Sequence, residues 1–149
     1  MKLNQDLREF IALLNSAGVK YLVVGGHAVA FHGYPRFTGD IDFFIERSSE
    51  NANRLESVLV QFGFGGLGLA AEAFLEPERV VQLGRPPNRI DLLTSIDGVQ
   101  FAEAWPQKAP GELDGLPVNF LGKAHLLTNK RASARPQDLA DVDKLQRSP

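Results

Sequence analysis

The sequence predicts an α+β (α/β-like) fold in which one short mixed β-sheet is flanked by helices. The first observation is that helix-like segments alternate with short apolar runs rich in strand-forming residues. The second observation is the length and composition of the chain, because 149 residues with 44% hydrophobic and 23% charged side chains are typical of a globular domain with one hydrophobic core. We therefore expect residues 1–149 to form a single domain. Its core would span about 1–122, and a helical C-terminal segment would follow over about 123–149.

Three helices and two strands are predicted in the first half of the chain. Apolar residues three and four positions apart indicate helices over 4–17 and 50–62. A shorter helix over 27–33 ends at glycine and proline breakers. Apolar runs rich in strand formers predict strands over 21–24 and 40–46.

The second half continues the same alternation. Its predicted strands are a candidate over 80–83, the stretch "RIDLLTSI" over 89–96, and a last strand over 117–122. Its predicted helices are a single turn over 101–105 and two short helices, near 123–131 and 136–146. Strands alternating with helices again indicate a mixed sheet with helical cover.

Composition excludes several classes of function. The net charge is -2, which argues against binding long nucleic acid through a broad basic surface. The chain has no cysteine, so it holds no disulfide and no thiolate metal site. The first ten residues have no apolar signal core, and no run approaches the length that spans a membrane. We expect a soluble cytoplasmic protein that binds no membrane.

Acidic residues interrupt two of the predicted strands, where charge is costly beside apolar surface. Asp40 and Asp42 are two positions apart in a strand, so their side chains point to the same face. The stretch "NRIDLLT" supplies Asp91 in a second strand. If the two strands are neighbours, three carboxylates converge, and a divalent cation such as Mg²⁺ would relieve their repulsion. The alternative is that Asp40 caps a turn and Asp91 is a lone residue on an edge strand.

A glycine pair lies between the first predicted strand and the helix after it. Gly25 and Gly26 have no side chains, so the backbone there can approach a ligand closely. The start of the following helix offers unpaired N–H groups to an anion such as a triphosphate. The alternative is a tight turn with no ligand. The position of the pair, shortly before the acids, favours a phosphate-binding role beside a metal.

Taken together, these motifs resemble the nucleotidyltransferase superfamily typified by DNA polymerase beta. The resemblance rests on the glycine pair in "GGHAVAFHGYPRFTGDID", the paired acids that end it, and "RIDLL". It is strongest over residues 21–46 and 84–97. It looks closest to small bacterial members, including those of toxin–antitoxin and abortive-infection systems. The resemblance implies a nucleotidyltransferase fold and transfer of a nucleoside monophosphate from an NTP to an acceptor hydroxyl.

The resemblance also implies roles for individual residues. Asp40, Asp42 and Asp91 would be catalytic and would bind two Mg²⁺ ions, with Asp91 at the ion that activates the acceptor. The NTP would be bound by Gly25, Gly26, Arg36, Thr38 and Lys130. Arg36 is alternatively a surface charge. Lys130, like Lys123 and Arg135, is alternatively part of a solvated charged face.

The acceptor and the partners stay open at this point. The acceptor would be a protein, an RNA end or a small molecule. A broad acceptor pocket would need a homodimer or a partner protein, for example a toxin. The competing interpretation is a non-catalytic, antitoxin-like module that keeps the fold and binds a partner.

Overall fold

A computed structural model describes residues 3–33, 39–64, 70–86 and 88–147. The sheet is built from six strands, which are β1 (Tyr21–Val24), β2 (Ile41–Ile45), β3 (Val80–Leu83), β4 (Ile90–Leu93), β5 (Ala109–Leu113) and β6 (Leu116–Phe120). Within these described ranges six α-helices accompany it, which are α1 (Gln5–Ser16), α2 (Gly25–Phe31), α3 (Ser49–Gln61), α4 (Phe101–Ala104), α5 (Lys123–Ser133) and α6 (Pro136–Arg147). Short 3₁₀ turns cover Ala71–Leu75 and Trp105–Gln107.

The sheet is mixed, and its strands run in the order β3-β4-β2-β1-β6-β5. β2 lies parallel to β4 on one side and antiparallel to β1 on the other. β1 and β6 are parallel, while the outer strands β3 and β5 pair antiparallel with β4 and β6. The two strands that carry the predicted acids are therefore direct neighbours near the middle of the sheet.

The core occupies the face of the sheet that α1 and α3 cover. Phe10 of α1 packs between Phe43 of β2 and Phe62 at the end of α3, with ring centroids 5.8 Å and 5.2 Å away. Tyr21 of β1 meets Phe43 edge to face at 5.4 Å. Side-chain caps fix where these helices begin. The side chain of Asn4 accepts a hydrogen bond from the N–H of Leu7 in α1, and that of Ser48 accepts one from the N–H of Asn51 in α3.

The opposite face is only partly covered, and this leaves room for the acids. Phe44 projects from β2 on the same side as Asp42 and is buried against Phe101 of α4, at 5.1 Å between ring centroids. Leu126 of α5 and Leu145 of α6 are fully buried in the same hydrophobic cluster as the sheet. The C-terminal helices thus pack onto the core.

The predicted fold class is confirmed, with a mixed sheet, flanking helices and two helices at the C-terminus. Strand β5 was missed. Its sequence, "APGEL", contains proline and glycine, which are tolerated there because β5 is an edge strand. Helix α2 begins at Gly25 and not at residue 27, so the glycine pair forms its first turn. Among the described residues, no helix has both the length and the apolar character needed to cross a bilayer.

Candidate active site

The pairing of β2 with β4 brings two of the predicted acids side by side. Asp42 and Asp91 are direct partners in the parallel register, and their carboxyl groups are hydrogen-bonded to each other. The apolar residues on either side of each acid point to the core face, where Ile41 pairs with Ile90 and Phe43 with Leu92. Alternation along both strands therefore places the two carboxylates together on the partly open face.

Arg89 links the third acid to this pair. Its Nε and Nη2 donate to the two carboxylate oxygens of Asp91, at 2.8 Å and 3.1 Å. Its backbone N–H donates to Oδ1 of Asp40 at 2.8 Å, and Nη2 lies 3.9 Å from Oδ2 of the same residue. Arg89 therefore contacts Asp40 and Asp91, and strand pairing places Asp42 beside Asp91. We call Asp40, Asp42 and Asp91 the acid cluster.

The environment of Asp42 favours its protonated form. Burial raises the pKa of Asp42 to about 7, with further contributions from the hydrogen bond to Asp91 and the negative charge of Asp91. The positive charge of Arg89 acts in the opposite direction. Protonation of Asp42 thus limits its repulsion with the neighbouring carboxylate.

Gly25 packs directly against Asp42. Its φ of +68° lies in the left-handed region, which favours glycine. A Cβ at this position would overlap with Oδ2 of Asp42. The first glycine of the pair therefore serves two local needs, the turn from β1 into α2 and space for the Asp42 carboxylate.

A cleft of about 490 Å³ opens beside Asp42. Gly25 and Asp42 lie on one wall, and Lys130, Ser133 and Arg135 of the C-terminal region lie on another. The cleft thus combines an acidic wall with a wall that carries basic side chains. This combination can accommodate a phosphorylated ligand together with a cation.

Lys130 lies in this cleft, but its ammonium already has partners. Its Nζ is 3.3 Å from Oδ1 of Asp138 and 3.1 Å from Oδ2 of Asp141. All three side chains are buried, with 7%, 1% and 0% of their areas exposed. Arg135 and Ser133 also donate to Asp138, at 2.7 Å and 2.9 Å. We call Lys130, Asp138 and Asp141 the buried ion cluster.

The position of Asp138 and Asp141 near the start of α6 suggests that they complement the helix dipole. They also form ion pairs with Lys130. Asp138 does accept from the backbone N–H of Arg135, at 3.3 Å, as an acid in the first turn does in a capping box. Its hydrogen bonds hold its pKa well below its usual range against the opposing effect of burial. The sequence predicts that Lys130 binds the nucleotide. The residue lies in the cleft, and its binding of a nucleotide stays a prediction.

Two predicted nucleotide-binding residues, Arg36 and Thr38, lie outside the described residues. In the part of the chain that is described, no three histidine, aspartate or glutamate side chains are grouped so that they could hold a metal ion as they stand. Both oxygens of the Asp91 carboxylate already accept hydrogen bonds from Arg89.

Arg89 was not among the site residues predicted from the sequence, although a signal for it is present. Arg89 stands two positions before Asp91, and residues two apart in an extended segment share a face. Whether its side chain would reach the acids depended on the parallel register of β2 and β4. That register is not readable from either strand alone.

The fold and the paired-acid strands define a class, the proteins with a nucleotidyltransferase fold. A Thermotoga maritima protein assigned to the nucleotidyltransferases has a similar structure, with a TM-score of 0.55 and 16% identity over 94% of this chain and 88% of that one. An antigenic nucleotidyltransferase-like protein from Paracoccidioides brasiliensis also has a TM-score of 0.55, with 18% identity over 96% of this chain and 77% of that one. At such identities the likeness concerns the fold alone.

A family model then makes the assignment more specific. The model described as "Nucleotidyl transferase of unknown function (DUF2204)" matches residues 3–148. The chain belongs to this family. No curated protein matches the sequence of this chain.

Proposed function

We propose that the protein transfers a nucleoside monophosphate from an NTP to an acceptor hydroxyl in a Mg²⁺-dependent reaction. The observation that carries the proposal is the side-by-side position of Asp42 and Asp91 in β2 and β4, with Asp42 packed against Gly25 and lining the cleft. A partner-binding surface has no need of two adjacent carboxyl groups, one buried and one half-buried, beside a cleft. Nucleotidyl transfer does need carboxylates at one point, because it depends on neutralising and positioning phosphate charge.

The acid cluster fits Mg²⁺ in its chemistry. Mg²⁺ takes carboxylate oxygens, water and substrate phosphates as ligands. Asp42 and Asp91 would hold it, joined by Asp40, after Arg89 releases the carboxylate of Asp91. When bound, the metal supplies charge neutralisation and activation of the acceptor oxygen. The proposal of two ions follows from the general chemistry of phosphoryl transfer.

The residues around the cleft would bind and orient the NTP. The absence of a side chain at Gly25 lets the backbone approach the triphosphate closely. Arg135 has an exposed side chain at the cleft, although its guanidinium pairs with Asp138, so it can turn toward a phosphate. Lys130 would bind a phosphate only by turning its ammonium away from a carboxylate, because Asp138 and Asp141 offset its charge. Arg36 and Thr38 are part of the same proposal.

The experiment that tests this function is transfer of label from [α-³²P]NTPs. The protein is incubated with each labelled NTP, Mg²⁺ and a cell lysate, and the labelled species are separated into protein, RNA and small molecules. We expect one NTP to label one class of acceptor. Asp42→Asn and Asp91→Asn should abolish the labelling, whereas Asp97→Asn, an exposed acid of the same cleft, should retain it. Absence of transfer by the wild type, or transfer by both acid variants, contradicts the proposal.

A second candidate is a partner-binding, antitoxin-like module, and the pairing of Arg89 with Asp91 is the observation that favours it. If the acids were fixed by arginine as a structural ion pair, the protein would not respond to Mg²⁺ and NTP. Thermal unfolding separates the two candidates. Stabilisation by Mg²⁺ plus an NTP that is lost in Asp42→Ala supports the enzyme, while no shift together with tight binding of a partner protein supports the module.

A further inference from the structure

The positive charge of Arg89 interacts with all three carboxyl groups of the acid cluster. Its guanidinium makes a two-pronged contact with Asp91 and lies 3.9 Å from Asp40, while its backbone N–H bonds the Asp40 carboxylate. Its charge also acts on Asp42, which has no guanidinium contact of its own among the described residues. One cation is thus shared by three acids at the point where the proposed metal would bind.

The exposure of the two side chains determines how firmly Arg89 holds Asp91 and how easily it can turn away. The carboxylate of Asp91 is 9% exposed, so its charge needs a partner at all times. The side chain of Arg89 is 27% exposed, which leaves it a path to solvent. An arginine held in a two-pronged geometry positions a carboxylate more firmly than a lysine would.

We propose that Arg89 is a positioning residue that acts as a built-in counter-ion, holding the acid cluster together without metal and competing with a divalent cation for Asp91. The inference rests on the proposed function, because that function supplies the cation. Arg89 occupies both oxygens of Asp91, so a metal can use them only after the guanidinium turns away. Its positive charge also opposes the approach of a second cation.

The competition predicts that removing Arg89 strengthens metal binding. In Arg89→Gln both the occupancy of Asp91 and the repulsion of the cation are gone, so Mn²⁺ should bind about tenfold more tightly than to the wild type. Arg89→Lys keeps the charge but loses the two-pronged contact, so its affinity should lie between the two. Without metal, both variants should unfold at a lower temperature, because Asp91 loses its two-pronged contact with the guanidinium.

The experiment is a titration of the full chain with Mn²⁺ in the absence of nucleotide, with free Mn²⁺ followed by electron paramagnetic resonance. Thermal unfolding is measured in parallel, with and without saturating Mn²⁺. Arg54→Gln is the matched control, because it removes the same charge from an ion pair with Glu50 on α3. Its Mn²⁺ affinity should equal that of the wild type.

The outcomes separate a positioning role from a merely structural one. A structural role predicts that Arg89→Gln lowers the unfolding temperature and leaves or weakens Mn²⁺ affinity, and that result overturns the inference. It is also overturned if neither the wild type nor Arg89→Gln binds Mn²⁺. If Arg89→Gln does not fold, Arg89→Lys decides, because an affinity equal to that of the wild type counts against competition.

Failure of this inference is distinguishable from failure of the proposed function. Tighter Mn²⁺ binding by Arg89→Gln, without nucleotide transfer by the wild type, supports the inference and contradicts the function. Nucleotide transfer by the wild type, with unchanged Mn²⁺ affinity in both Arg89 variants, supports the function and contradicts the inference.

Discussion

Next to the acid cluster, the absence of a side chain at Gly25 leaves room for the carboxylate of Asp42. Gly25 turns the chain from β1 into α2 with a φ of +68°, and the space of its absent Cβ is taken by Oδ2 of Asp42. A residue with a side chain at this position would disturb the turn and the carboxylate together. The glycine therefore supports the site sterically, whether or not its backbone also contacts a phosphate.

We predict that Gly25→Ala destabilises the protein more than backbone strain alone explains. Gly115→Ala is the control, because Gly115 has a similar φ of +80° and no atom near its absent Cβ. Strain should lower the free energy of unfolding of the control by about 1–2 kcal/mol, and the clash with Asp42 should add about 1–3 kcal/mol in Gly25→Ala. Urea unfolding measures both variants, and equal losses would contradict the steric role.

The raised pKa of Asp42 makes stability depend on pH. The folded state raises the pKa of this carboxyl from 3.8 to about 7, so the folded state binds a proton that the unfolded state has lost between these values. Its contribution to stability is thus complete below about pH 4 and is lost as the pH rises through 7. The loss is at most about 4 kcal/mol, at about 1.4 kcal/mol for each pKa unit.

We therefore predict that Asp42→Asn removes this loss of stability between pH 4 and pH 7. Burial lowers the pKa of His27, which makes stability rise with pH up to about 6.5, so the wild-type curve alone mixes two opposite effects. The difference between wild type and variant isolates Asp42, since His27 is present in both. The measurement is urea unfolding without metal at several pH values, and parallel curves would contradict the assignment.

At the scale of elements, the buried ion cluster joins α5 to α6. Lys130 comes from α5, and Asp138 and Asp141 come from α6. A buried charge is tolerated when it is paired and hydrogen-bonded, but it becomes costly when its partner is removed. The cluster therefore fixes the two helices relative to each other, beside the cleft that α5 helps to form.

We predict that Lys130→Met lowers the free energy of unfolding by about 3–5 kcal/mol, because two buried carboxylates lose the ammonium that they share, although Asp138 keeps its pair with Arg135. Adding Asp138→Asn and Asp141→Asn should restore much of that loss, because the uncompensated charges are then gone. Arg131→Met is the control on the same helix, since its side chain is exposed, and its effect should stay within about 0.5 kcal/mol. Chemical denaturation gives all three values. An equal effect of Lys130→Met and Arg131→Met would show that the cluster does not join the helices energetically.

At the scale of the whole molecule, the C-terminal helices complete the core. Leu126 of α5 and Leu145 of α6 are both fully buried in the cluster that contains the sheet residues. Removing the helices would expose apolar surface on the sheet and leave one wall of the cleft missing. The C-terminal segment therefore follows residues 1–122 in the sequence but packs into the same core.

We predict that a chain ending at residue 122 does not unfold cooperatively. The loss of Leu126 and Leu145 removes about 1.5–3 kcal/mol of burial for each side chain, before the exposed sheet surface is counted. Circular dichroism during thermal unfolding should show a sharp transition for the full chain and a broad slope for the truncated one. A sharp transition in the truncated chain would mean that residues 1–122 form a separate folding unit.

Most of the fold could be predicted because its signals are local. The periodicity of α1 and α3, the apolar runs of β1 and β2, and the breakers between them are readable within a few residues. The missed strand β5 has the opposite character, because "APGEL" has weak strand propensity and is strand only through pairing with β6. Glycine suits position 111 because a Cβ there would overlap with the ring of Phe120 on the paired strand and with that of Phe31, which is distant in sequence.

The sequence by itself determined that this chain builds a mixed sheet with helical cover and carries acids inside two apolar strands. Alternation along a strand also determined that each acid faces away from the core. Only the tertiary structure decided that β2 and β4 are parallel neighbours in the register that pairs Asp42 with Asp91, and that Arg89 joins them. The physical reason is that strand propensity is a property of a few adjacent residues. Strand order and register, in contrast, depend on packing between segments that lie far apart in the chain.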